Sequence, residues 1–326
     1  MTQANKGNSS ETEPKPVFKA RDDRFHFGDL GADDWWATET AWFSFHCPER
    51  KMGGWLYTLV RPNIGTVAGG AWVWDDSAHL PWNALYSANF SALELPRNQD
   101  LDDIDLPTGV SVRAVEACTS YELSYLDEGR LTVSLQFNGV MPPEPLTAAG
   151  STFGRASHFD QIGRVHGTIV LHGERIEIDC FSFRDRTWGR RREDRPRQAA
   201  YVTGCAGADE GFLAVTNVDK QANPIAYGFL RRNGETIPIK HGERIIERDA
   251  REGWVTRVVI QGEDLSGRRL HMIGTPQSRI ILNRHSFIDV NSLILWESDK
   301  VQAWGEDQDM WPVHTWSKAR RERTQN

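Results

Sequence analysis

The chain has 326 residues and a formal net charge of −7, with 39% hydrophobic and 25% charged residues. These proportions fit a soluble globular protein with room for two domains, rather than a disordered or membrane one. The negative balance and scattered basic residues argue against a nucleic-acid partner, and no run approaches the ~18 apolar residues of a membrane span.

Residues 1–24 are polar and lack the apolar core of an export signal, which predicts a disordered tail on a cytoplasmic protein. From residue 25 onward the pattern is of short strands. WLYTLVR (55–61), AWVW (71–74), VSVRAVE (110–116), YELSYL (121–126) and RLTVSLQF (130–137) are rich in β-branched and aromatic residues and bounded by Gly, Pro or Asp. Asp127-Glu128-Gly129 reads as a short hairpin connection. Tryptophan is over-used, with 13 in the chain. Trp35, Trp36, Trp42, Trp55, Trp72, Trp74 and Trp82 gather early and suit either a barrel core or a pocket wall.

The Pro-rich run MPPEPLTAAGS (141–151) reads as a linker. It divides the chain into a first β-barrel half at 25–145 and a second at 152–317, followed by a basic tail at 318–326. In the second half, RVHGTIVL and RIEIDCFSF form a predicted hairpin about His172-Gly173. Further strands are predicted at AYVTGC, GFLAVTNV, IAYGFLR, WVTRVVIQ, RLHMIGT and SFIDVNSLILWES. The pentapeptide HGERI occurs at 172–176 and 241–245, each time at an expected hairpin. No segment holds a helical apolar period for long, so the expected fold class is all-β: two consecutive antiparallel barrels with few short helices. Exposed strand edges at their junction point to a homodimer as one assembly.

Several chemistries lack their motifs. There is no GxGxxG after a strand, no GxxxxGK[ST], no GxSxG and no HExxH, and Cys47, Cys118, Cys180 and Cys205 form no CxxC pair. No metal and no cofactor are therefore expected. The arginine run at Arg190, Arg191, Arg192, Arg195 and Arg197, interrupted by Glu193 and Asp194, reads as a solvated turn or an anion site.

The densest chemical segment is FSFRDRTWGRRRED (181–194). On an extended strand Phe181, Phe183 and Asp185 share one face, and Ser182, Arg184 and Arg186 the other. An aspartate beside two phenylalanines is costly unless paired or neutral, and an apolar setting raises a carboxyl pKa toward general-acid use. An Asp–Arg ion pair pinning the barrel rim is the structural alternative.

The run HFDQIGRVHGTIVLHGERIEIDCFSFRDRTWGRR (158–191) resembles the signature of the AttH-like family related to carotenoid 1,2-hydratases, as do WLYTLVRPN (55–63) and WESDKVQAWGED (296–307). The resemblance implies tandem lipocalin-like barrels and a cofactor-free lyase acting on a hydrophobic isoprenoid, steroid or phenolic compound. Carotenoid hydratases carry an Asp-His-Asn-Trp-Gly run at this strand end. Asp185, Trp188 and Gly189 match its Asp, Trp and Gly, while Arg186 stands in place of the histidine. Hydration or dehydration of an alkene would use aromatic rings to stabilise cationic charge and an ionisable residue to move a proton. A phenolic substrate offers a second route, in which Arg186 stabilises a phenolate. The expected catalytic residues are Asp185 and Arg186, with His158 or Tyr201 as proton carrier. Trp188, Phe183, Trp42, Trp74 and Arg61 are the expected substrate-binding residues. A carrier of a hydrophobic ligand without chemistry, or an isomerase or cyclase using the same proton relay, remains the alternative.

Overall fold

The structure, a computed structural model, describes residues 18–146, 157–192, 194, 197–218, 223–284 and 287–324. Eleven strands form the first sheet: β1 (Ala37–Cys47), β2 (Met52–Arg61), β3 (Thr66–Trp74), β4 (Tyr86–Glu94), β5 (Asp103–Asp105), β6 (Val110–Glu116), β7 (Ser120–Asp127), β8 (Leu131–Gly139), β9 (Glu144–Pro145), β10 (Ser157–Leu171) and β11 (Glu174–Arg190). Its order is β4-β3-β2-β1-β11-β10-β8-β7-β6-β5, with β9 beside β10. A closed barrel follows, formed by β12 (Ala199–Cys205), β13 (Gly211–Asn217), β14 (Ile225–Arg232), β15 (Glu235–Arg248), β16 (Val255–Asp264), β17 (Arg269–Arg284), β18 (Phe287–Glu297) and β19 (Gln302–Pro312). The fold is all-β, as the strand pattern predicts, and lipocalin-like, as the resemblance implies, but the expected first barrel is an open, curled sheet and only the second closes.

Burial explains how the two sheets meet. Strands β6–β8 alternate buried and exposed residues, so one face packs inward and the other meets water. Strands β1–β3 are buried almost throughout, which requires cover on both faces. The first sheet curls so that Phe43, Leu56 and Val73 on one face meet Val112, Leu123 and Phe137. On the other face Trp42, Trp55, Tyr57, Trp72 and Trp74 pack against Leu213, Val215, Phe229 and Leu282 on the outside of the barrel. The barrel holds its own core of Val202, Phe212, Leu230, Ile260 and Trp296.

Three expected boundaries move. The sheets divide between β11 and β12, not at 141–151, because the long β10–β11 hairpin offers one edge to β8 and the other to β1. Residues 147–151 of the expected linker, and residues 1–17 of the expected tail, lie outside the described residues. Residues 18–24 are no tail: Asp23 is buried, accepts a hydrogen bond from Tyr121 and lies 3.5 Å from Arg184. The expected basic tail is the end of a helix, α1 (Val313–Thr324), whose Trp316 packs on Trp254 and Trp311 while Arg320 donates to the Glu252 carbonyl.

The hairpin at His172-Gly173 is present, with His172 itself in the left-handed region. The second HGERI lies inside β15, where Glu243 and Arg244 pair with β16, so it is not at a turn. Of the early tryptophans, Trp42, Trp55, Trp72 and Trp74 are buried, whereas Trp35 and Trp82 are exposed. The arginine run ends β11 in ion pairs, Arg190 with Asp34 and Arg192 with Asp194, and Arg195 lies outside the described residues.

Candidate active site

Strand β11 distributes its side chains as its alternation dictates. Phe181, Phe183, Asp185 and Thr187 face the barrel; Arg184, Arg186 and Trp188 face the interior of the first sheet. In the ladder Asp185 stands between Trp42 of β1 and Asp160 of β10. Beneath it a hydrogen-bonded network crosses from sheet to barrel. Asp160 accepts from the Tyr201 hydroxyl through Oδ1, and through Oδ2 from the Tyr227 hydroxyl (2.6 Å) and His158 Nε2 (3.0 Å). His158 Nδ1 lies 2.6 Å from Thr187 Oγ1, which fixes the ring from its other side.

Burial shapes the charges of this network. It works against the charged His158 ring, but the carboxylates of Asp160 and Asp185 outweigh it and hold His158 above its ordinary pKa. Burial pushes the Asp185 carboxyl up to about 6; His158 opposes this and Asp160 adds to it. Tyr201 and Tyr227 are pushed well above the usual phenol value by burial and by Asp160, so both remain neutral donors.

The barrel adds a second group of polar side chains to the same cleft. Glu306 of β19 accepts from Trp55 Nε1 (2.9 and 2.8 Å to its two oxygens) and from Asn291 Nδ2 (3.0 Å). Burial pushes its carboxyl up to about 8, against the pull of those two donors. Arg284 at the end of β17 lies 4.3 Å from the centre of the Tyr57 ring and donates to Asp289 across 3.3 Å. Burial lifts Asp289 to about 6, with Arg284 holding it down. Trp42 joins the two groups, edge-on to Trp55 at 5.5 Å and to Tyr201 at 5.8 Å. A recess of about 260 Å³ lies between Tyr57, Gly69, Trp72, Asn89 and Arg284.

Five polar atoms in this cleft are buried without a hydrogen-bond partner among the described residues: Trp42 Nε1, Trp74 Nε1, Asp185 Oδ1, Asp289 Oδ1 and Asn291 Oδ1. Orphaned buried groups are rare and mark places built to receive a partner. Among the described residues, no three His, Cys, Asp or Glu side chains are arranged to hold a metal ion, and no helix is long and apolar enough to cross a membrane.

The structure therefore brings together Asp185, His158, Tyr201, Phe183, Trp42 and Trp74. It separates them from Arg186, Trp188 and Arg61. Arg186 is buried on the opposite face, bound to Glu39 and to the carbonyls of Thr40, Thr187 and Arg24. The expected Asp185–Arg186 working pair does not form, because neighbours on a strand point to opposite faces. Trp188 stacks on His26 at 4.3 Å on that same far side, and Arg61 donates to Thr38 at the end of β2. Sequence reasoning missed Asp160, Tyr227, Arg284, Asp289, Asn291 and Glu306. Only Asp160 carried a signal, standing two residues from His158 and thus on the same strand face.

Residues 19–305 match a family model described as a domain of unknown function (DUF7064). No curated protein matches the chain in sequence. Among solved structures, a protein assigned as AttH from Nitrosomonas europaea is 15% identical, with 92% of this chain and 98% of that chain covered and a TM-score of 0.56. Kievitone hydratase from Nectria haematococca is 10% identical over 86% and 90% of the two chains, with a TM-score of 0.53. CghA, solved with Sch210972, is 13% identical over 85% and 88%, with a TM-score of 0.55. At these identities the likeness is one of fold.

Proposed function

The chain belongs to the DUF7064 family, and we propose that it is a cofactor-independent lyase of hydratase type, working in the cleft between sheet and barrel. The observation that carries this reading is the pair of carboxyls displaced to different degrees, Asp185 to about 6 and Glu306 to about 8. Near neutral pH the first is mostly ionised and the second mostly protonated, which is the division of labour that acid–base catalysis requires.

In the dehydrating direction, the Asp185 carboxylate removes a proton from carbon and the Glu306 carboxyl gives its proton to the departing hydroxyl. A carbon–carbon double bond forms and water leaves; hydration is the reverse. His158, clamped between Thr187 and Asp160, is held above its ordinary pKa and opposes the rise that burial imposes on Asp185. The faces of Trp42 and Trp55 would stabilise any positive charge that develops on the substrate.

The unpaired acceptors at Asp185, Asp289 and Asn291 favour a hydrophobic ring compound carrying hydroxyl groups over a bare hydrocarbon. Two hydratase-like and AttH-like neighbours share the fold, which supports the reading by analogy. The test is incubation with hydrophobic alkenes and tertiary or benzylic alcohols in heavy-oxygen water, followed by mass spectrometry. A product differing by one molecule of water, formed by wild type and not by Asp185→Asn, is expected. A compound bound by both proteins and returned unchanged would make the protein a carrier instead.

A further inference from the structure

The barrel wall is incomplete at one end. Strand β17 pairs with β16 from Arg269 onward, but its pairing with β18 begins only at Ile273, opposite Glu297. Residues 269–272 therefore run past the end of β18, and the turn between β18 and β19 faces them across a notch of about 750 Å³. That is within the range of small-molecule sites. Its floor is apolar, made by Phe212, Leu230 and Met272 of the barrel core.

The rim sets four cations, Arg231, Arg232, Arg269 and Lys300, against two carboxylates, Glu210 and Asp299, on a protein whose net charge is −7. Two Arg-Arg pairs, 231–232 and 268–269, end β14 and begin β17, and each divides its work. The inner arginines are committed to structure: Arg231 donates to the carbonyls of Ala208, Gly234 and Val140, and Arg268 to Asp264 and the Leu230 carbonyl. The outer ones line the notch. Arg232 lies 3.7 Å from Glu210, whereas Arg269 and, across the notch, Lys300 have no side-chain hydrogen bond or ion pair among the described residues. Two unengaged cations over an apolar floor match a ligand with an anionic head and a hydrocarbon body.

We propose that this notch is a second binding site, separate from the cleft, for an amphipathic carboxylate. Its hydrocarbon part lies on Phe212, Leu230 and Met272, and its head sits among Arg269, Lys300 and Arg232. The test is calorimetric titration of the full chain with decanoate, with 1-decanol as the uncharged control. Decanoate is expected to bind at one site, about tenfold more tightly than decanol. The exposed double charge reversal R269E/K300E, which leaves the core untouched, should weaken it about tenfold, and Met272→Trp, which fills the floor, should abolish it. Asp185→Asn should leave it unchanged. Absence of decanoate binding, equal binding by decanol, equal binding by R269E/K300E, or its loss in Asp185→Asn would overturn the proposal.

Discussion

Asp185 and Glu306 flank the Trp42–Trp55 pair in one cleft, and burial is the first cause of both their displacements. If they act as base and acid, kcat/KM should follow a bell with limbs near pH 6 and pH 8. Asp185→Asn should lower kcat by ~10²–10⁴-fold, and Glu306→Gln should remove the alkaline limb; a profile flat from pH 5.5 to 8.5 would refute the assignment. Glu306 also predicts a stability trend. Its folded-state pKa is raised above the ordinary 4.5. The folded protein then binds a proton that the unfolded chain has released, so stability falls as pH rises from about 4.5 to about 8. Melting temperatures across that window should decline less in Glu306→Gln. Arg186 gives the contrast: removing it takes the guanidinium from the buried Glu39 carboxylate and leaves only His26 beside it among the described residues, and breaking a buried pair costs about 3–5 kcal/mol. Arg186→Ala should therefore melt earlier, with kcat per folded molecule little changed. These roles were only partly legible in the sequence. The alternation that put Asp185 on an apolar face also put Arg186 behind it, and that consequence is readable from spacing alone. Glu306 and Arg284 are not so readable, because their meaning depends on which sheet they face across the cleft.

At the scale of elements, hairpins with strong turn residues were legible and docking surfaces were not. Val110–Glu116 and the turn at His172-Gly173 follow from β-branched alternation and turn chemistry. Strands β1, β4, β15 and β19 are among those missed. Both of the last two carry charged residues that the barrel buries as pairs, such as Arg244 with Asp307, so their hydropathy does not read as core. The docked region has its own signature in Gly69. Its φ is +106°, it sits at a register shift between β3 and β4, and a Cβ there would stand 2.1 Å from the Tyr57 carbonyl oxygen. Gly69→Ala should cost at least ~1–3 kcal/mol in urea unfolding. Because Gly69 also lines the recess beside Arg284, the variant should raise KM as well. A normal urea midpoint would mean that β3 can relax there, and that the close approach of β2 and β3 is not enforced.

The whole molecule is asymmetric in what each part needs. The barrel closes on itself and encloses its own apolar core, so it has no unpaired sheet edge, although the first sheet covers Leu213, Val215, Phe229 and Leu282 on its outer face. The first sheet is open, ends on β4 and β5, and carries Trp42, Trp55, Trp72 and Phe183 on a face that only the barrel covers. Each buried aromatic removes ~150–250 Å² from water, so that face alone exceeds the apolar patch a soluble domain tolerates. A fragment of residues 197–326 should fold and melt cooperatively by circular dichroism, while residues 1–192 alone should bind a hydrophobic dye or precipitate. Mixing the two should restore solubility, because Tyr201 and Tyr227 of the barrel supply hydrogen bonds that Asp160 otherwise lacks. If the first fragment proved soluble and dye-free, the aromatic face would have another way to bury itself. The cleft would then be an accessory of two independent domains rather than the surface that makes them one protein.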